Sequence, residues 1–413
     1  MLVWILQTGE PLQIDNDNSR PMRAMNLSNK LIESGHSVVL WSSAFNHRTK
    51  KHRSKKYKTF KVNNNFEIKL IPSYGYKKNI GLGRLFDHFQ MAWNLKALLK
   101  EEKILPDVAF IGYPPIEIAY VMCGWLKQRK VPILLDIKDL WPTIFITTLP
   151  KKIRLIAKII FYPYFYLSKK TIRQVNGVSA MSKSFLKWTS NYANRPLGKN
   201  DIVVKLSSQI QTLKHQELEE ARQWWKEFGI NHNKPLVFFA GTFSNAFDFK
   251  NIFEAAKTVK DCQFILCGVG PNLDKIKDLM SELTNVLFPG WIDKIKLEAL
   301  GKMSIASLAP YKNRNNFILS IPNKIVDALS LGLPILSPLQ GEVAKLIKEN
   351  EVGFTYNDVS LLGDYINLLI KDVMLQEKIS INAKKLYKSE FEFNMVYDEL
   401  VCHLENIALK KDD

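Results

Sequence analysis

The sequence predicts an α/β protein of two doubly wound domains in series. Three observations predict it. Short apolar runs alternate with amphipathic stretches of helical period along most of the chain. That alternation is interrupted once, around residues 207–234, by the charged helix "HQELEEARQWWKEFG" and a polar turn, and then restarts. At 413 residues, 46% hydrophobic and 24% charged with no low-complexity tract, the chain is too long for one ordinary core. The domains are read at 1–206 and 207–392, and a C-terminal helix at about 393–413 packs back on the first. In each, ligands belong beyond the carboxyl ends of the strands, and two such sheets facing each other leave a cleft between the domains.

In the first half, "LVWILQ" reads as a strand, followed by a helix from about Pro21 to Ser34 that Gly35 ends. "SVVLWSS" is the next strand. "DVAFIGY", a helix through "IEIAYVMCGWLKQRK" and "VPILLDIKD" make a βαβ unit, and "GVSAMS" and "DIVVKLS" close the half. In the second half, "PLVFFAGTF" leads to "KNIFEAAKTV", "CQFILCGVG" to "NLDKIKDLMSEL", and "NVLFPGWI" to "IKLEALGKM". "SIASLAPY" leads to "PNKIVDALSL", and "LPILSPL" to "GEVAKLIKEN". The tail from about Ser360 is helical.

Charge is unevenly placed. Residues 1–200 carry 33 Lys and Arg against 12 Asp and Glu, and the remainder 25 against 28, so the first half holds all of the net +18. No acid occurs between Asp139 and Asp201. An excess of this size calls for an anionic partner: lipid headgroup, phosphorylated substrate or nucleic acid. The stretch "KKIRLIAKIIFYPYFYLSKKTIRQ" (Lys151 to Gln174) sets Lys151, Arg154 and Lys158 on one helical face and Ile153, Ile156 and Ile160 elsewhere, with Pro163 breaking the helix among aromatics. That combination suits an anionic membrane surface, although an ordinary packed helix with a solvated face has the same pattern. No apolar run is long enough to span a bilayer, and "MLVWILQ" lacks the basic start of a signal peptide. The expected location is therefore cytoplasmic, on the inner face of the cell membrane. Cys123, Cys262, Cys267 and Cys402 form no CxxC pair and read as buried apolar fillers in a reducing compartment.

Two glycine turns, "AGTFS" with Gly241 and Thr242 and "CGVGP" with Gly268 and Gly270, each follow a strand and precede a helix. Glycine there lets backbone amides approach a phosphate, and a tight strand–helix turn explains them equally well. Neither is a full GxGxxG and no GxxxxGK[ST] occurs, so dinucleotide and P-loop readings lose support. In "SIPNKIVDALSLGLPILSP", the helix after Pro322 can offer amides at Asn323 and Lys324 and the Lys324 ammonium to a diphosphate. Asp327, an acid within an otherwise apolar helix, can accept hydrogen bonds from a ribose diol or simply favour the helix N-terminal dipole. Arg314 in the preceding polar loop is a second cation for the diphosphate.

"LLDIKDLWPT" ends a strand with Asp136 and Asp139. Asp139 is a candidate for hydrogen-bonding a sugar hydroxyl or assisting loss of an acceptor proton, or for capping the next segment. In the loop after the first strand, Gly9 and Glu10 lie where an acceptor would approach, and Arg20 and Arg23 can meet an anionic one. "DND" (Asp15 to Asp17) precedes a helix in a polar loop and reads as turn and cap rather than metal ligand. His47 and His88 are lone histidines, of which His47 is the better candidate for the cleft.

With these motifs in place the chain resembles the family 4 glycosyltransferases of the two-domain GT-B fold, with Rossmann-like halves. "GTFS", "CGVGP", "NVLFPGWI" and "PNKIVDALSLGLPI" carry the likeness in the second half. "QTGEPLQID…RPMRAMNLSNKLIESGHSVVLWSSAFNH", "LLDIKDLWPT" and "VSAMSKSFLKW" carry it in the first. The resemblance implies retaining transfer of a sugar from a nucleotide-sugar, usually a UDP-sugar, without a metal ion or other cofactor. It places Trp291 and Ile292 with the glycine turns at the nucleotide, and Asp327 at the second acid of an E-x7-E motif, on the ribose. It implies a polyprenyl-diphosphate-linked glycan as acceptor, in bacterial surface polysaccharide assembly such as O-antigen or capsule. The chain departs from the pattern at Leu319, where the first acid would fall, and lacks the usual Arg…Lys pair, for which Lys324 and Arg314 substitute.

Two rivals are weighed against this. A nucleotide-sugar 2-epimerase on the same fold needs no membrane face, so the basic aromatic stretch speaks against it. A nucleic-acid-binding protein is prompted by the charge, but no binding module is present and the basic residues are not interleaved with stacking aromatics on strands.

Overall fold

The computed structural model describes residues 1–15, 20–79, 81–207 and 214–409. The chain divides into two compact units, Met1–Val204 with Asn394–Asp413, and Lys205–Phe393.

The first unit is an eight-stranded sheet with helices on its faces. Its strands are β1 (Leu2–Leu6), β2 (Ser37–Ser43), β5 (Lys58–Asn63), β6 (Phe66–Ile71), β7 (Val108–Tyr113), β8 (Ile133–Ile137), β9 (Gly177–Ala180) and β10 (Ile202–Val203). A separate two-residue ladder joins β3 (Phe45–Asn46) to β4 (Lys51–His52). The order is β10-β9-β8-β7-β1-β2-β6-β5, parallel throughout except for the β5–β6 hairpin. The central strands are near-continuous apolar runs because both faces are covered: β7 and β8 are buried along their whole length. Trp4 and Trp41 are fully buried, and Trp4 stacks on Trp125 at 5.7 Å.

The helices of this unit are α1 (Arg23–Glu33), α2 (Leu82–Glu101), α3 (Ile116–Gln128), α4 (Thr143–Thr147), α5 (Arg154–Ile160), α6 (Tyr162–Arg173) and α7 (Lys183–Ala193). Glu10 accepts from the Ala24 amide in the first turn of α1, and Ser182 caps α7 by accepting from the Phe185 amide at 3.0 Å. Pro163 lies in the first turn of α6, where its missing N–H costs nothing, so the basic stretch is two helices and not one. The last helix of the chain, Phe393–Leu409, closes this unit. Lys30 pairs with Asp398 at 2.9 Å, His36 with Glu405 at 2.8 Å, and Asn26 donates to the Tyr397 hydroxyl at 3.3 Å.

The second unit is a six-stranded parallel sheet of β11 (Leu236–Ala240), β12 (Gln263–Cys267), β13 (Val286–Gly290), β14 (Ala306–Leu308), β15 (Ile335–Ser337) and β16 (Gly353–Thr355), in the order β13-β12-β11-β14-β15-β16. Its helices are α8 (His215–Phe228), α9 (Lys250–Thr258), α10 (Leu273–Leu279), α11 (Lys294–Met303), α12 (Asn315–Ile318), α13 (Asn323–Leu331), α14 (Glu342–Asn350), α15 (Val359–Lys371) and α16 (Val373–Glu390). One apolar core fills the side of α9, α13 and α15, and a smaller one around Trp225 and Leu300 fills the other. The strand order reverses between β11 and β14. Such a reversal leaves a crevice beyond the strands' carboxyl ends, the usual seat of a ligand in this architecture.

No helix among the described residues is long and apolar enough to cross a membrane. All four cysteines are free. Cys123, Cys262 and Cys267 are buried, but Cys402 is exposed on the last helix, which corrects its reading as a core filler.

Candidate functional site

In the second unit the site residues gather at the β11/β14 reversal. Gly332 adopts φ 69° and ends α13, whose other end opens at Pro322 with no side-chain cap. That leaves the first amides of α13, at Asn323 and Lys324, at a positive helix terminus. Lys324 turns back over β11: its Nζ donates to the Ala240 carbonyl and lies 4.5 Å from the Phe239 ring centre and 5.2 Å from that of Phe247. Burial pushes its pKa down to about 8, and the nearby Asp327 charge opposes the fall. A Cβ on Gly241 would collide with this ammonium, so glycine is what admits Lys324 to the loop. Asp327 lies one turn along α13 and is half-buried, less enclosed than its apolar neighbours in sequence imply. Its charge joins burial in pushing the Tyr311 phenol up. Arg314 is exposed, and its Nη2 donates to the Asn245 carbonyl at 2.8 Å, which ties the loop after β14 to the loop after β11. Trp291 stands exposed after β13, while Ile292 packs against the smaller core.

The glycine turns need a correction. The Gly241 amide donates to the Cys267 carbonyl at 2.9 Å, and the Gly268 amide to the Gly290 carbonyl at 2.6 Å. These two donors knit the ends of β11, β12 and β13 together and are not available to a phosphate. A Cβ on Gly268, which adopts φ 137°, would strike the Gly241 carbonyl. Close strand packing is thus what these two glycines provide. Thr242 is exposed, and neither its amide nor that of Gly270 donates within the described backbone.

The first unit separates residues that are close in sequence. Asp136 is buried: it accepts from Arg23 Nη1 at 3.3 Å and Ser179 Oγ at 2.8 Å. Arg23 Nη2 donates to the Val204 carbonyl at 2.8 Å. Glu10 is buried as well, accepting from Gln7, Lys138 and the Ala24 amide. Burial pushes its carboxyl up, and Lys138 with these hydrogen bonds outweighs that and holds it below the usual carboxylate value. The expectation that Glu10 and Arg23 meet an acceptor is corrected by this network: both are committed to the sheet and to α1. Gly9 and Arg20 are exposed. Asp15 pairs with Arg53 at 2.5 Å, so it holds a loop together as the turn reading expects; Asp17 lies outside the described residues. Among the described residues no three His, Cys, Asp or Glu side chains converge as a metal site.

Asp139 differs from Asp136. It is half-buried and has no hydrogen bond or ion pair among the described residues, and burial lifts its pKa to about 6 against the opposing charges of Arg84 and Lys138. Near it stand Arg84, Lys50 and Tyr76, which the sequence reading passed over, together with the two lone histidines it named. Arg84, in the first turn of α2, lies 5.1 Å from the Trp141 ring centre and 5.7 Å from that of Tyr76. Lys50 lies 4.4 Å from the same Tyr76 ring centre. His47 bonds the Tyr76 hydroxyl, and burial together with Lys50 and Arg84 pushes its pKa down to about 4, so it is neutral at pH 7. His88 is buried and pushed down to about 3. The only sequence signals for this group were the basic, tyrosine-containing "YGYKKN" and the lone histidines.

Residues 220–386 match the family described as glycosyl transferases group 1. The second unit is a group 1 glycosyltransferase domain. The crevice at Gly241, Arg314, Lys324 and Asp327 lies within that match. No curated protein sequence matches the chain. Solved structures do, across nearly the full length. Sucrose-phosphate synthase (tll1590) from Thermosynechococcus elongatus aligns with a TM-score of 0.74 at 12% identity over 99% of each chain. WaaG, a glycosyltransferase involved in lipopolysaccharide biosynthesis, aligns at 0.66 and 14% identity over 98% of this chain and 99% of its own. Anabaena Alr3699/HepE, solved in complex with UDP and glucose, aligns at 0.67 and 14% over 98% and 100%. The glycosyltransferase domain and the sheet of residues 1–204 are therefore the two Rossmann-like units of a GT-B fold.

Proposed function

We propose that the protein is a retaining glycosyltransferase that moves a sugar from a nucleotide-sugar, a UDP-sugar, to a lipid-linked glycan at the inner face of the cell membrane. The carrying observation is the β11/β14 crevice: the Lys324 ammonium sits at Gly241, Arg314 reaches the same loop, and Asp327 lies one turn along α13. Asp327 accepts hydrogen bonds from the ribose diol. Lys324, Arg314 and the Thr242 amide stabilise the diphosphate, and Trp291 offers the base a face.

In the transfer, an acceptor hydroxyl oxygen bonds to the anomeric carbon as the bond from that carbon to the diphosphate oxygen breaks. The bonding pair leaves on the diphosphate, which takes the hydroxyl proton. Asp139, ionised near neutrality, accepts a hydrogen bond from a sugar hydroxyl. No metal ion is needed in this scheme, so a chelator leaves the rate unchanged. Support for a membrane acceptor is the exposed apolar face of α5 within a lysine-rich stretch. Support for the donor is the UDP and glucose bound by HepE, and for the pathway the role printed for WaaG. Assembly of a surface polysaccharide such as O-antigen or capsule fits both.

A thermal-shift panel of nucleotide-sugars, with Asp327→Ala as control, tests the reading. One nucleotide should raise the midpoint of the wild type and fail to raise that of the variant. No response to any nucleotide overturns the reading, and equal responses remove Asp327 from the ribose. Incubation with the stabilising UDP-sugar alone should leave it unchanged; interconversion without an acceptor would mean an epimerase.

A further inference from the structure

A groove of about 830 Å³ runs along α6, and five cations line it: Lys127 of α3, Lys158 of α5, and Lys169, Lys170 and Arg173 of α6. Among the described residues none of the five enters an ion pair. The sequence explains why. Helices α5, α6 and α7 contain no acidic residue. The single acid of α3, Glu117, lies in its first turn, about three turns from Lys127. It is bound by the hydroxyl of Tyr164, which helical spacing sets on the side of α6 away from the groove. The cations are held instead by aromatic rings and a carbonyl. Lys170 lies 5.5 Å from the Tyr120 ring centre and 5.9 Å from that of Tyr166, and Lys169 lies 5.5 Å from that of Tyr192. Arg173 Nε donates to the Ala193 carbonyl at 2.5 Å. Those contacts fix positions and cancel no charge. Gln174 adds a buried side-chain amide nitrogen with no hydrogen-bond partner, a donor that an incoming acceptor would satisfy.

The groove has two unlike halves. Tyr162, Phe165 and Tyr166 line it at the start of α6, and Lys169, Lys170 and Arg173 follow on the same face at helical spacing. Tyr162 and Tyr166 are 67% and 55% exposed. Lys127 joins the cationic half from the last turn of α3. Helix α3 leads into β8 and α6 into β9, two parallel neighbours, so their last turns lie at the amino edge of the sheet. Asp139 follows the carboxyl end of β8, at the opposite edge. The cationic half is therefore separate from the site around Asp139. Twelve residues of helix span about 18 Å, too long a face and too highly charged for a single orthophosphate.

We infer that this groove binds a small anion with clustered phosphates. Its phosphate chain lies among Lys127, Lys169, Lys170 and Arg173, and a ring, where it carries one, lies on Tyr162 and Tyr166. Cations converging on one place call for several negative charges in one molecule, which a layer of singly charged headgroups does not concentrate at a point. Exposed aromatic faces beside them suit a stacked base or sugar. Free oligophosphate and nucleoside polyphosphate share this chemistry. The ligand class follows from the groove itself and is independent of the glycosyltransferase reading. An anion seated there neutralises like charges that repel one another, so occupancy stabilises the folded chain.

Titration calorimetry and thermal midpoints of the full chain, with tripolyphosphate, adenosine triphosphate and phosphatidylglycerol vesicles as separate probes, test it. Tripolyphosphate should bind the wild type and raise its midpoint. Lys127→Gln with Lys170→Gln should weaken tripolyphosphate by about tenfold or more, since each charge-assisted bond lost is worth about that factor. The midpoint of that variant without ligand should hold or rise, because repulsion is relieved. Lys324→Gln should keep the groove's binding, which separates it from the proposed diphosphate site of the second unit. Tyr162→Ser with Tyr166→Ser distinguishes the two sources. Weakening of adenosine triphosphate alone makes the ligand a nucleoside polyphosphate; no change with either probe makes it a free oligophosphate. Wild-type affinity for tripolyphosphate in the Lys127→Gln, Lys170→Gln protein overturns the inference, as does absence of binding to the wild type. Loss of tripolyphosphate binding in Lys324→Gln overturns it too, since the signal then belongs to the second unit. So does vesicle binding that falls about tenfold in the Lys127→Gln, Lys170→Gln protein while tripolyphosphate binding does not, because the groove would then serve headgroups. Nucleotide stabilisation of that variant is measured alongside: if it persists while tripolyphosphate binding is unaltered, only this inference fails, and the proposed reaction stands.

Discussion

Arg23 Nη1 stands 3.3 Å from Asp136 Oδ1, and both side chains are almost wholly buried. The arginine also anchors the Val204 carbonyl, and Lys138 approaches the second carboxylate oxygen at 3.6 Å. Removing one partner of such a pair strands the other charge in the interior, at a cost of about 3–5 kcal/mol. Arg23→Ala should therefore lower the urea midpoint of the first unit markedly. Nucleotide binding should survive it, because every residue assigned to the donor lies in the second unit. A midpoint within error of the wild type would mean that the pair contributes nothing to stability.

Asp139 is expected to be more useful than it is stable. Its pKa is raised to about 6 by burial, in the face of Arg84 and Lys138, so the folded protein binds more protons than the unfolded chain between about pH 4 and 6. The sign follows: stability from this group is greatest in acid and is lost as pH rises through 6. Asp139→Asn should then stabilise the protein at pH 7.5, by about 1–2 kcal/mol after allowance for solvent screening, and cut turnover severely. In the wild type kcat/KM should fall as pH drops below 6, and that limb should vanish in the variant. A variant that is both less stable and fully active contradicts each half of this.

The crevice of the second unit was readable because its parts are neighbours in sequence. Lys324 and Asp327 share one turn of a helix flagged by Pro322 and Gly332, and Arg314 precedes it by ten residues. The first unit's site was not readable, for a physical reason. Arg23 and Asp136 are 113 residues apart and Glu10 and Lys138 are 128 apart, and no local pattern announces such pairing. Several elements were also missed, among them the β5–β6 hairpin, α2, α7 and β16. Strand β5 is an edge strand, largely exposed, so its period carries no burial signal. Helix α2 carries apolar residues on both faces: it buries Met91, Leu95 and Leu99 together with Asp87 and His88 and exposes Leu82, Phe86 and Trp93, so no single apolar stripe marks its inner side. The commitment of the Gly241 and Gly268 amides to neighbouring strands likewise depends on contacts across the sheet, which spacing does not show.

Lys324 should make donor binding sensitive to alkali. Burial lowers its pKa to about 8, so the ammonium begins to be lost above that value. Affinity for a nucleoside diphosphate should decline as pH rises through 8 in the wild type. The decline should be absent in Lys324→Met, which should bind about tenfold or more weakly at pH 7. The same shift sets a stability effect of opposite sense. The folded state disfavours the charged form, so Lys324 weakens folding in full below pH 8, and the penalty is relieved as pH rises from about 8 toward the ordinary lysine value of 10.5. Calorimetric titrations of UDP at pH 7 and pH 9 separate the cases; a wild-type affinity that does not change with pH would remove the ammonium from the diphosphate.

The α5 face gives the membrane its own prediction. Leu155, Ile156, Ile159 and Ile160 are 72%, 59%, 70% and 68% exposed, and Lys151, Lys152 and Lys158 stand exposed in the same stretch. Burying an aliphatic side chain of this size in a lipid interface is worth about 1–2 kcal/mol, and a lysine near an anionic surface about 1 kcal/mol. Leu155→Ser with Ile159→Ser should lower sedimentation with phosphatidylglycerol vesicles by about tenfold or more at any salt concentration. Lys152→Gln with Lys158→Gln should weaken it at low salt and have little further effect at high salt, where the lysines are already screened. Neither pair touches the crevice of the second unit, so nucleotide stabilisation should be unchanged in both. Retention of full vesicle binding by the serine variant would return α5 to the status of a solvated helix, and the acceptor would then have to be sought among soluble glycans.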